Sequence, residues 1–288
     1  MTQANTQIPG FGLLGHPLGH SMSPFIHQAL FALSGRPQPY ALHDVAPEDL
    51  KTQVPKLLAG QGFNITIPYK VEIIPFLTQL SEKAGLYQSV NTVEIKDGRY
   101  IGHNTDVDGF LHGIRSLGVE LSQGPVLMLG SGGVANMIAT EVVLAGSPLT
   151  IAVRKEDVKQ AAALKERLLK IKPDAEITTC LLDEPNGSYR LLVNATPVGM
   201  YPNTQSCPVT PEIIRQAEAV FDLVYNPFET QLVQTAKSLG LPAGGGLSML
   251  VWQAAVAHEI WFGDSFTDQQ IQQVILQAKE YMEAHFQA

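Results

Sequence analysis

A chain of 288 residues is long enough for one large domain or two moderate ones, and such a chain buries roughly 75% of its unfolded surface. Its hydrophobic content of 45% and charged content of 16% are typical of a packed globular protein and exclude a disordered one. A net charge of -8, without any stripe rich in lysine and arginine, argues against a nucleic-acid partner.

Cysteine usage and hydropathy predict a cytoplasmic protein. Cys180 and Cys207 stand in unrelated contexts, which gives neither a disulfide framework nor a metal-ligand spacing and suits a reducing compartment. The opening residues lack the basic and apolar regions of a signal peptide, and no apolar run reaches the roughly 18 residues of a membrane span. The histidines show no ligand spacing either. We therefore expect no membrane partner and no metal site.

The first half of the chain mixes strand-like and helix-like segments. The strand-like segments are 10–15, 38–45, 63–67, 89–95 and 99–104. The helix-like segments are 24–35 and 47–60, each closed by a glycine, and 105–118, which joins the two halves. This pattern predicts a mixed α/β domain over residues 1–106.

The segment "GFNITIPYK", residues 62–70, combines a strand pattern with isolated polar groups. Its apolar residues alternate with polar ones and so occupy one face: Phe63, Ile65 and Ile67. The other face carries Asn64 and Thr66, and Pro68 then ends any sheet ladder because it has no N–H to donate. Lys70 follows two residues later. This arrangement leaves open what the polar face contacts.

The second half predicts a doubly wound parallel sheet, as in a Rossmann-like domain. Its strand-like segments are 125–130, 149–153, 176–180, 190–194, 219–225 and 241–245. Helix-like segments lie between most of them, at 133–145, 155–171, 211–217 and 229–239. The connection 181–189 is too short for a full crossover helix. We place this domain at 107–245, with further helices over 246–288 that return to the first domain.

A glycine-rich turn follows the first strand of this second domain and opens a helix. Its residues form the G-x-G-x-x-A version of the dinucleotide fingerprint: Gly130, Ser131, Gly132, Gly133, Val134 and Ala135. Gly130 permits the tight turn, Gly132 lets backbone approach a pyrophosphate, and Ala135 allows close helix–sheet packing. Glycine turns also end ordinary strands, but the strand–turn–helix context favours nucleotide binding.

The end of the next strand indicates which dinucleotide is bound. An NAD site usually carries an acidic residue there, whereas this chain has Val153 followed by Arg154 and Lys155. Two cations favour a 2′-phosphate and therefore NADP. Glu156 and Asp157 reduce the positive field, so NAD stays possible, and a solvated loop is the simpler alternative.

Paired hydroxyls stand at the start of the first helix. Ser23, followed by proline, suits the N-cap, and Ser21 precedes it by two residues. Two hydroxyls with the free N–H groups of a helix start could hold a carboxylate. Simple capping explains Ser23 but leaves Ser21 unexplained, so both interpretations stay open.

Three further polar residues stand in unusual positions. Asn91 lies inside a strand-like run, where asparagine is disfavoured without a partner. Asp106 opens a helix, where it either stabilises the first turn or holds a lysine ammonium. Gln253 sits on the apolar stripe of Met249, Val256 and Ile260, and must find hydrogen-bond partners unless it lies at the edge of the stripe.

With these residues assembled, the chain resembles the shikimate dehydrogenase family from about residue 10 to 262. The matching segments, in the family's order, are "GHPLGHSMSPFIH", "GFNITIPYK", "VNTV", "GHNTDVDG", "GSGGVA", "NATPVGM", "DLVYNPFETQL" and "GLSMLVWQA". The resemblance implies an open two-domain α/β enzyme that reversibly reduces 3-dehydroshikimate to shikimate, usually with NADPH, in aromatic amino acid (chorismate) biosynthesis. A monomer or homodimer is expected.

The resemblance also implies residue roles. Lys70 and Asp106 would form the catalytic pair, and Ser21 and Ser23 would hold the substrate carboxylate. Thr66, Asn91 and Gln253 would bind ring hydroxyls, with Tyr225 at the substrate side of the cleft. The positions matching the cofactor site beyond the glycine turn are Arg154, Lys155, Asn194, Thr196, Met200 and Gly246.

The sequence departs from the family where the adenosine phosphate would bind. The usual N-R-T reads Val153-Arg154-Lys155 here, which loses one polar contact. Ser23 favours shikimate over quinate, since quinate-using relatives often carry threonine there. The alternatives are an NAD-dependent quinate/shikimate dehydrogenase and a non-catalytic nucleotide-sensing protein on the same fold. The latter would have no reason to keep both Lys70 and Asp106.

Overall fold

The computed structural model describes residues 10–19 and 21–286, and its fold separates into two compact units. The first unit takes the chain up to Asp106 and again from Gln253 onward, and the second is Val107–Trp252. The sequence analysis placed its limits at 106 and 245. The second division instead falls inside one uninterrupted helix, Gly246–Phe262, so no break in secondary structure marks it.

Two six-stranded sheets account for the strands of the described residues. Those of the first unit are β1 (Phe11–Gly15), β2 (Tyr40–Asp44), β3 (Gly62–Ile65), β4 (Gln79–Leu80), β5 (Thr92–Lys96) and β6 (Arg99–His103). Those of the second are β7 (Val126–Leu129), β8 (Leu149–Val153), β9 (Ile177–Leu181), β10 (Leu191–Asn194), β11 (Val220–Asp222) and β12 (Ala243–Gly245).

Helices connect and cover these strands. In chain order they are α1 (Ser23–Leu33), α2 (Leu50–Leu57), α3 (Glu82–Tyr87), α4 (Asp106–Arg115), α5 (Gly133–Leu144), α6 (Val158–Ile171), α7 (Pro211–Ile214), α8 (Gln231–Ser238), α9 (Gly246–Phe262) and α10 (Asp268–His285). The predicted helix 47–60 is shorter than expected, because it begins as a 3₁₀ turn at Pro47–Asp49 and ends at Leu57. The short strand β4 and helix α3 were not predicted.

The first unit combines strands and helices, as the sequence predicted, and its sheet has both parallel and antiparallel neighbours. Its strand order is β2-β1-β3-β5-β6-β4, in which β1 runs parallel to β2 and β3 while β5 is antiparallel to β3 and β6. Consequently the carboxyl ends of β1, β3 and β6 and the amino end of β5 all lie at one edge of the sheet. The segments that follow or precede these ends carry most of the polar residues singled out above.

The second sheet confirms the doubly wound prediction. All of its strands are parallel, in the order β12-β11-β10-β7-β8-β9. Counted from the first strand of this unit, that is the 3-2-1-4-5-6 order of a Rossmann fold, with its switch point between β7 and β10. The connection between β9 and β10 contains no helix, as its length predicted. Every residue of β7 and β10 is buried, as expected for central parallel strands covered on both faces.

The structure corrects the sequence analysis at the segment 62–70. Strand β3 ends at Ile65, and a cis peptide bond joins Ile67 to Pro68. Ile67 is 70% exposed although its alternation predicted a buried face, whereas Asn64 is only 4% exposed. Both faces of β3 are therefore buried, and the alternation does not separate core from solvent here.

Candidate functional site

The edge of the first sheet at which β3 and β6 end brings a lysine and an aspartate together. The Nζ of Lys70 lies 2.5 Å from Oδ2 of Asp106, and their side chains are 24% and 15% exposed. Lys70 is in the turn after β3, and Asp106 is the first residue of α4, directly after β6. The backbone N–H of Asp106 donates to Oδ1 of Asn104 at 3.1 Å, which fixes the start of the helix. The predicted pair is thus present.

Asn91 links this ion pair to the interior. It precedes β5 and is not inside the strand, contrary to the prediction, and its side chain is buried. Its Nδ2 donates to Oδ1 of Asp106 at 2.9 Å and to Oγ1 of Thr105 at 3.0 Å. Its Oδ1 accepts from the backbone N–H of Thr105 at 2.8 Å. Asn91 therefore has the partners that a buried asparagine requires.

Gln253 reaches the same cluster from α9. The side chain is buried, and its Oε1 accepts from Nδ2 of Asn91 at 3.4 Å and from Oγ1 of Thr105 at 3.5 Å. The apolar stripe of α9 is less buried than predicted, because Met249, Val256 and Ile260 are only half-buried. Of the two alternatives left open for Gln253, the structure supports a buried side chain with hydrogen-bond partners.

The hydroxyl residues lie at the ends of β1 and β3. Ser23 is the first residue of α1 and not its N-cap, which is Met22, so the capping interpretation of Ser23 is wrong. Its backbone N–H donates to Oγ of Ser21 at 3.3 Å. None of the described residues hydrogen-bonds to the hydroxyls of Ser23 or Thr66. Both hydroxyls are half-buried and available to a ligand.

An aspartate that the sequence analysis missed anchors the loop before these serines. Oδ2 of Asp44, at the end of β2, accepts from the backbone N–H of Leu18 at 3.0 Å, and Oδ1 lies 2.6 Å from Nδ1 of His16. The N–H of Leu18, followed by the His16 hydrogen bond, lowers the pKa of this carboxyl. The β1–α1 loop is thereby tied to the edge of the sheet.

In the second unit, the glycine turn between β7 and α5 has the geometry that its sequence predicted. Gly130 has φ +98°, and a Cβ there would lie 2.9 Å from Cγ2 of Thr196, so the turn requires glycine. A Cβ at Gly132 or Gly133 would meet nothing within 4 Å. Ala135 is fully buried against the sheet. Open space therefore lies beside the first turn of α5, whose leading N–H groups have no partner within the helix.

The flanking residues of that turn differ in exposure. Ser131 is buried, whereas Val134 is exposed. The N-terminus of a twelve-residue helix attracts anions, and the glycines here leave room for one. The turn therefore suits a pyrophosphate, which is the ligand that the fingerprint predicts.

The cations after β8 are partly engaged by their neighbours. Arg154 is exposed, with Nε 2.8 Å from Oδ2 of Asp157 and Nη1 3.4 Å from Oε1 of Glu156. The hydrogen bond to Asp157 and its charge raise the pKa of this guanidinium. Lys155 makes no ion pair with any described residue. The expected weakening of the positive field by Glu156 and Asp157 is confirmed.

The side chain of Asn194, a residue that the resemblance assigns to the cofactor site, is engaged by protein groups. It is fully buried at the end of β10, and its Nδ2 donates to Oδ1 of Asp222 at 2.9 Å. Its Oδ1 accepts from the backbone N–H and the hydroxyl of Thr196 at 3.0 and 2.7 Å. Asn194 thus shapes the loop that carries Thr196.

Asp222 is the partner of Asn194 that the sequence analysis missed. The residue is fully buried, and its Oδ2 accepts from the Thr230 hydroxyl at 2.6 Å while Oδ1 also accepts from the Val224 N–H at 3.0 Å. Burial raises the pKa of this carboxyl to about 6, although the three hydrogen bonds oppose that shift. Only its position at a strand end could have drawn attention to it.

The remaining predicted residues of this unit lie in different surroundings. Met200 is exposed, and Tyr225 is half-buried, with a phenol pKa raised by burial. Gly246 is buried, and a Cβ on it would lie 2.1 Å from the Leu223 carbonyl oxygen. Close packing of two backbone segments thus accounts for Gly246 without a ligand.

The described residues contain neither a cluster of metal ligands nor a helix that could span a membrane. No group of three or more histidine, cysteine, aspartate or glutamate side chains there is arranged to hold a metal ion. In the same part of the chain, no helix is both long and apolar enough to cross a bilayer.

The fold and these sites define a two-unit α/β protein, with a lysine–aspartate pair on a mixed sheet and a glycine turn on a Rossmann-type sheet. Residues 13–93 match the family model for the shikimate dehydrogenase substrate binding domain. The shikimate dehydrogenase (NADP(+)) of Shouchella clausii is 37% identical over 257 residues, which cover 88% of this chain and 92% of that protein. The enzyme of the same name from Methanocaldococcus jannaschii is 37% identical over 269 residues, covering 91% and 94%.

A solved structure agrees with these relatives. The crystal structure of shikimate 5-dehydrogenase from Thermus thermophilus, in complex with NADP(H) and shikimate, superposes with a TM-score of 0.81 at 33% identity. The superposition covers 93% of this chain and 99% of that one. The chain belongs to the shikimate dehydrogenase family, and the resemblance drawn from its eight segments is confirmed.

Proposed function

We propose that the protein is an NADP-dependent shikimate dehydrogenase, which reversibly reduces the ketone of 3-dehydroshikimate to the secondary alcohol of shikimate. The observation that carries this proposal is the Lys70–Asp106 pair, 2.5 Å apart and held by Asn91 at an edge lined with free hydroxyls. The names of the relatives, and the shikimate bound in the Thermus thermophilus structure, support the same activity.

In this proposal Lys70 moves the proton of the reaction. Oxidising an alcohol requires removing its hydroxyl proton, and reducing a ketone requires delivering one. Asp106 holds the ammonium of Lys70 in one orientation, while Asn91 donates to the other oxygen of Asp106. An acid–base group positioned in this way usually contributes about 10²–10⁴-fold to the rate.

We assign substrate binding to the first unit. Ser21 and Ser23, at the start of α1, would receive the carboxylate, and the unpaired hydroxyl of Ser23 supports this role. Thr66, Asn91 and Gln253 would bind the ring hydroxyls. We also assign Tyr225 a contact with the substrate, on its match to the family.

We assign the cofactor to the second unit, whose residues fit it. The open space beside Gly132 and Gly133 and the N-terminus of α5 would hold the pyrophosphate. Arg154 and Lys155 would hold the 2′-phosphate, and Thr196 and Met200 would line the nicotinamide side, with Asn194 and Gly246 shaping the backbone there. When bound, NADP supplies the hydride chemistry of the reaction.

Location and assembly complete the proposal. Two free cysteines support a reducing compartment, and we propose the cytoplasm. We also propose a monomer or a homodimer, which sedimentation of the purified chain would distinguish.

The test is kcat/KM for shikimate oxidation, measured side by side with NADP⁺ and NAD⁺ and repeated with quinate. A strong NADP⁺ preference that falls in Arg154→Ala supports the proposal and the role of Arg154. Arg154 is already paired with two carboxylates, which would weaken its attraction for a 2′-phosphate. Equal use of NAD⁺ would therefore favour the alternative function, an NAD-dependent quinate/shikimate dehydrogenase. No turnover with any combination would refute the enzymatic function and leave a nucleotide-binding protein.

A further inference from the structure

A continuous series of buried hydrogen bonds leads from the core of the first unit to the lysine–aspartate pair. The hydroxyl of Tyr40 donates to Oδ1 of Asn64 at 2.7 Å, and Nδ2 of Asn64 donates to Oγ1 of Thr92 at 2.9 Å. The hydroxyl of Thr92 donates to Oδ1 of Asn91 at 3.1 Å, and Nδ2 of Asn91 donates to Asp106. The proposed function uses only the last two members of this series.

The order of donors and acceptors in the series is fixed at both ends. Tyr40 gives its single proton to Asn64, which orients the Asn64 amide so that its NH₂ group faces Thr92. Thr92 therefore accepts from Asn64 and directs its own proton to Asn91. At the far end the Asp106 carboxylate can only accept. The Thr92 hydroxyl also lies 3.4 Å from the Thr105 hydroxyl, a longer contact in which either oxygen can donate, so the shorter bond to Asn91 is the one that continues the series.

The members of the series before Asp106 are shielded from solvent. Tyr40 is 7% exposed, Asn64 4%, Thr92 0% and Asn91 2%. The ring of Tyr40 stacks on His27 with centroids 4.1 Å apart, which holds the phenol in place. An unpaired polar group at such a position is costly, so the loss of one hydroxyl is transmitted to the next side chain.

We infer that Tyr40, Asn64 and Thr92 are positioning residues, which hold the Asn91 side chain where it orients Asp106 and reaches the substrate. This inference rests on the proposed function. A positioning role differs from a purely structural one because its effect on activity depends on Asn91. The residues themselves do not touch the reacting groups.

Two single-hydroxyl deletions test the inference: Thr92→Val, next to Asn91, and Tyr40→Phe, which is three hydrogen bonds from Asn91 along the series. We expect Thr92→Val to lower kcat/KM for shikimate about tenfold, because it removes both hydrogen bonds of that hydroxyl in the series, and Tyr40→Phe to lower it about threefold, because it removes one. Thr92→Ser, which keeps the hydroxyl, should restore most of the activity. Thr235→Val, which removes a half-buried hydroxyl from α8, is the matched control and should leave kcat/KM unchanged.

A double-mutant cycle shows whether the effect passes through Asn91. In an Asn91→Ala background, the addition of Thr92→Val or Tyr40→Phe should cause no further loss of kcat/KM. Full additivity, or wild-type activity in both single variants, would overturn the inference.

Amide hydrogen exchange gives a readout that is independent of activity. The backbone N–H of Thr105 donates to Oδ1 of Asn91, so a mobile Asn91 should expose it. We expect Thr105 exchange to accelerate in Thr92→Val, more than the exchange of the Val93 amide in the neighbouring ladder, and to recover in Thr92→Ser. Uniform acceleration of both amides would indicate global destabilisation and refute the inference. If wild-type protein does not oxidise shikimate, the proposed function fails, while the exchange measurement still decides whether the series positions Asn91.

Discussion

Lys70 is the residue whose replacement tests the chemistry most directly. Its ammonium lies 2.5 Å from Asp106, and no other element of the proposal supplies the proton. We expect Lys70→Ala to lower kcat for shikimate oxidation by about 10²–10⁴-fold, with little change in KM, because the side chain acts on the reacting hydroxyl more than on binding. Steady-state kinetics at saturating NADP⁺ measures both quantities.

Two further variants separate proton transfer from charge. Lys70→Arg keeps the positive charge beside Asp106 but cannot release its proton, so it should be nearly as slow as Lys70→Ala. Lys56→Ala, on the exposed face of α2, should be as active as wild type. Near-normal turnover in either Lys70 variant would remove Lys70 from its proposed role.

The sequence indicated which residues are polar but not where their side chains point. Lys70 and Asp106 stand at element boundaries in the sequence, but only the resemblance to the family paired them. Asn64, Asn91 and Asn194 are all buried, but only Asn91 hydrogen-bonds to a member of the lysine–aspartate pair. Only the three-dimensional neighbours distinguish such residues. When both faces of a strand are covered by protein, the sequence pattern does not indicate which polar side chain faces a site.

At the scale of elements, different glycines of the turn between β7 and α5 serve folding and ligand binding. Gly130 is needed for the turn itself, whereas a Cβ at Gly132 would meet nothing and its φ of -73° suits any residue. We expect Gly132→Ala to keep the thermal midpoint nearly unchanged, while its methyl group occupies the space proposed for the pyrophosphate. The Kd for NADP⁺, measured by calorimetry, should rise about tenfold or more.

The matched control for this variant is Gly85→Ala. Gly85 lies in helix α3 of the first unit and also has open space around it, so alanine should be neutral or stabilising there and leave the Kd for NADP⁺ unchanged. Gly130→Ala should instead lower the thermal midpoint, because of its φ of +98°. An unaltered Kd in Gly132→Ala would place the pyrophosphate elsewhere.

Element order was predicted well, and element ends less so. The alternation of strands and helices was enough to predict the parallel sheet of the second unit, because crossover connections have few alternatives. The ends depend on tertiary partners: β3 stops at Ile65, and Met22 rather than Ser23 caps α1. The strand β4 was missed because only two residues form it, Gln79 and Leu80.

On the scale of the whole molecule, buried ionisable groups make the stability of each unit depend on pH. In the first unit, Nδ1 of His27 lies 3.1 Å from Nε2 of His258, and both residues are fully buried. Burial, followed by the neighbouring His258, holds the pKa of His27 well below 6.5. Burial, followed by Arg36, lowers the pKa of His258 to about 3.

The two buried histidines lower the free energy of unfolding as the pH falls, because the unfolded chain binds protons that the folded pair does not. As pH falls below 6.5, the unfolded chain protonates its histidines while the folded pair stays neutral, so the free energy of unfolding decreases. For His258 alone the loss is about 2 kcal/mol at pH 5 and about 4 kcal/mol at pH 3.

Asp222 gives the second unit the opposite dependence. Its folded pKa of about 6 lies above its ordinary 3.8, so between these values the folded state binds a proton that the unfolded state has released. Its contribution to the free energy of unfolding is therefore largest below pH 3.8 and is lost as pH rises through 6. Acidification from pH 7 to 5 should stabilise this unit by about 1 kcal/mol.

The two units should therefore respond to mild acid in opposite directions. At about 2–4 °C per kcal/mol, the midpoint of the first unit should fall by about 4–8 °C between pH 7 and 5, and that of the second should rise by about 2–4 °C. Differential scanning calorimetry at both pH values measures the two midpoints. His258→Leu should flatten the response of the first unit only, and Asp222→Asn that of the second only, whereas His285→Gln on α10 should alter neither. Midpoints that move together in all four proteins would mean that these buried groups do not govern the acid response, because each replacement removes a titration from one unit alone.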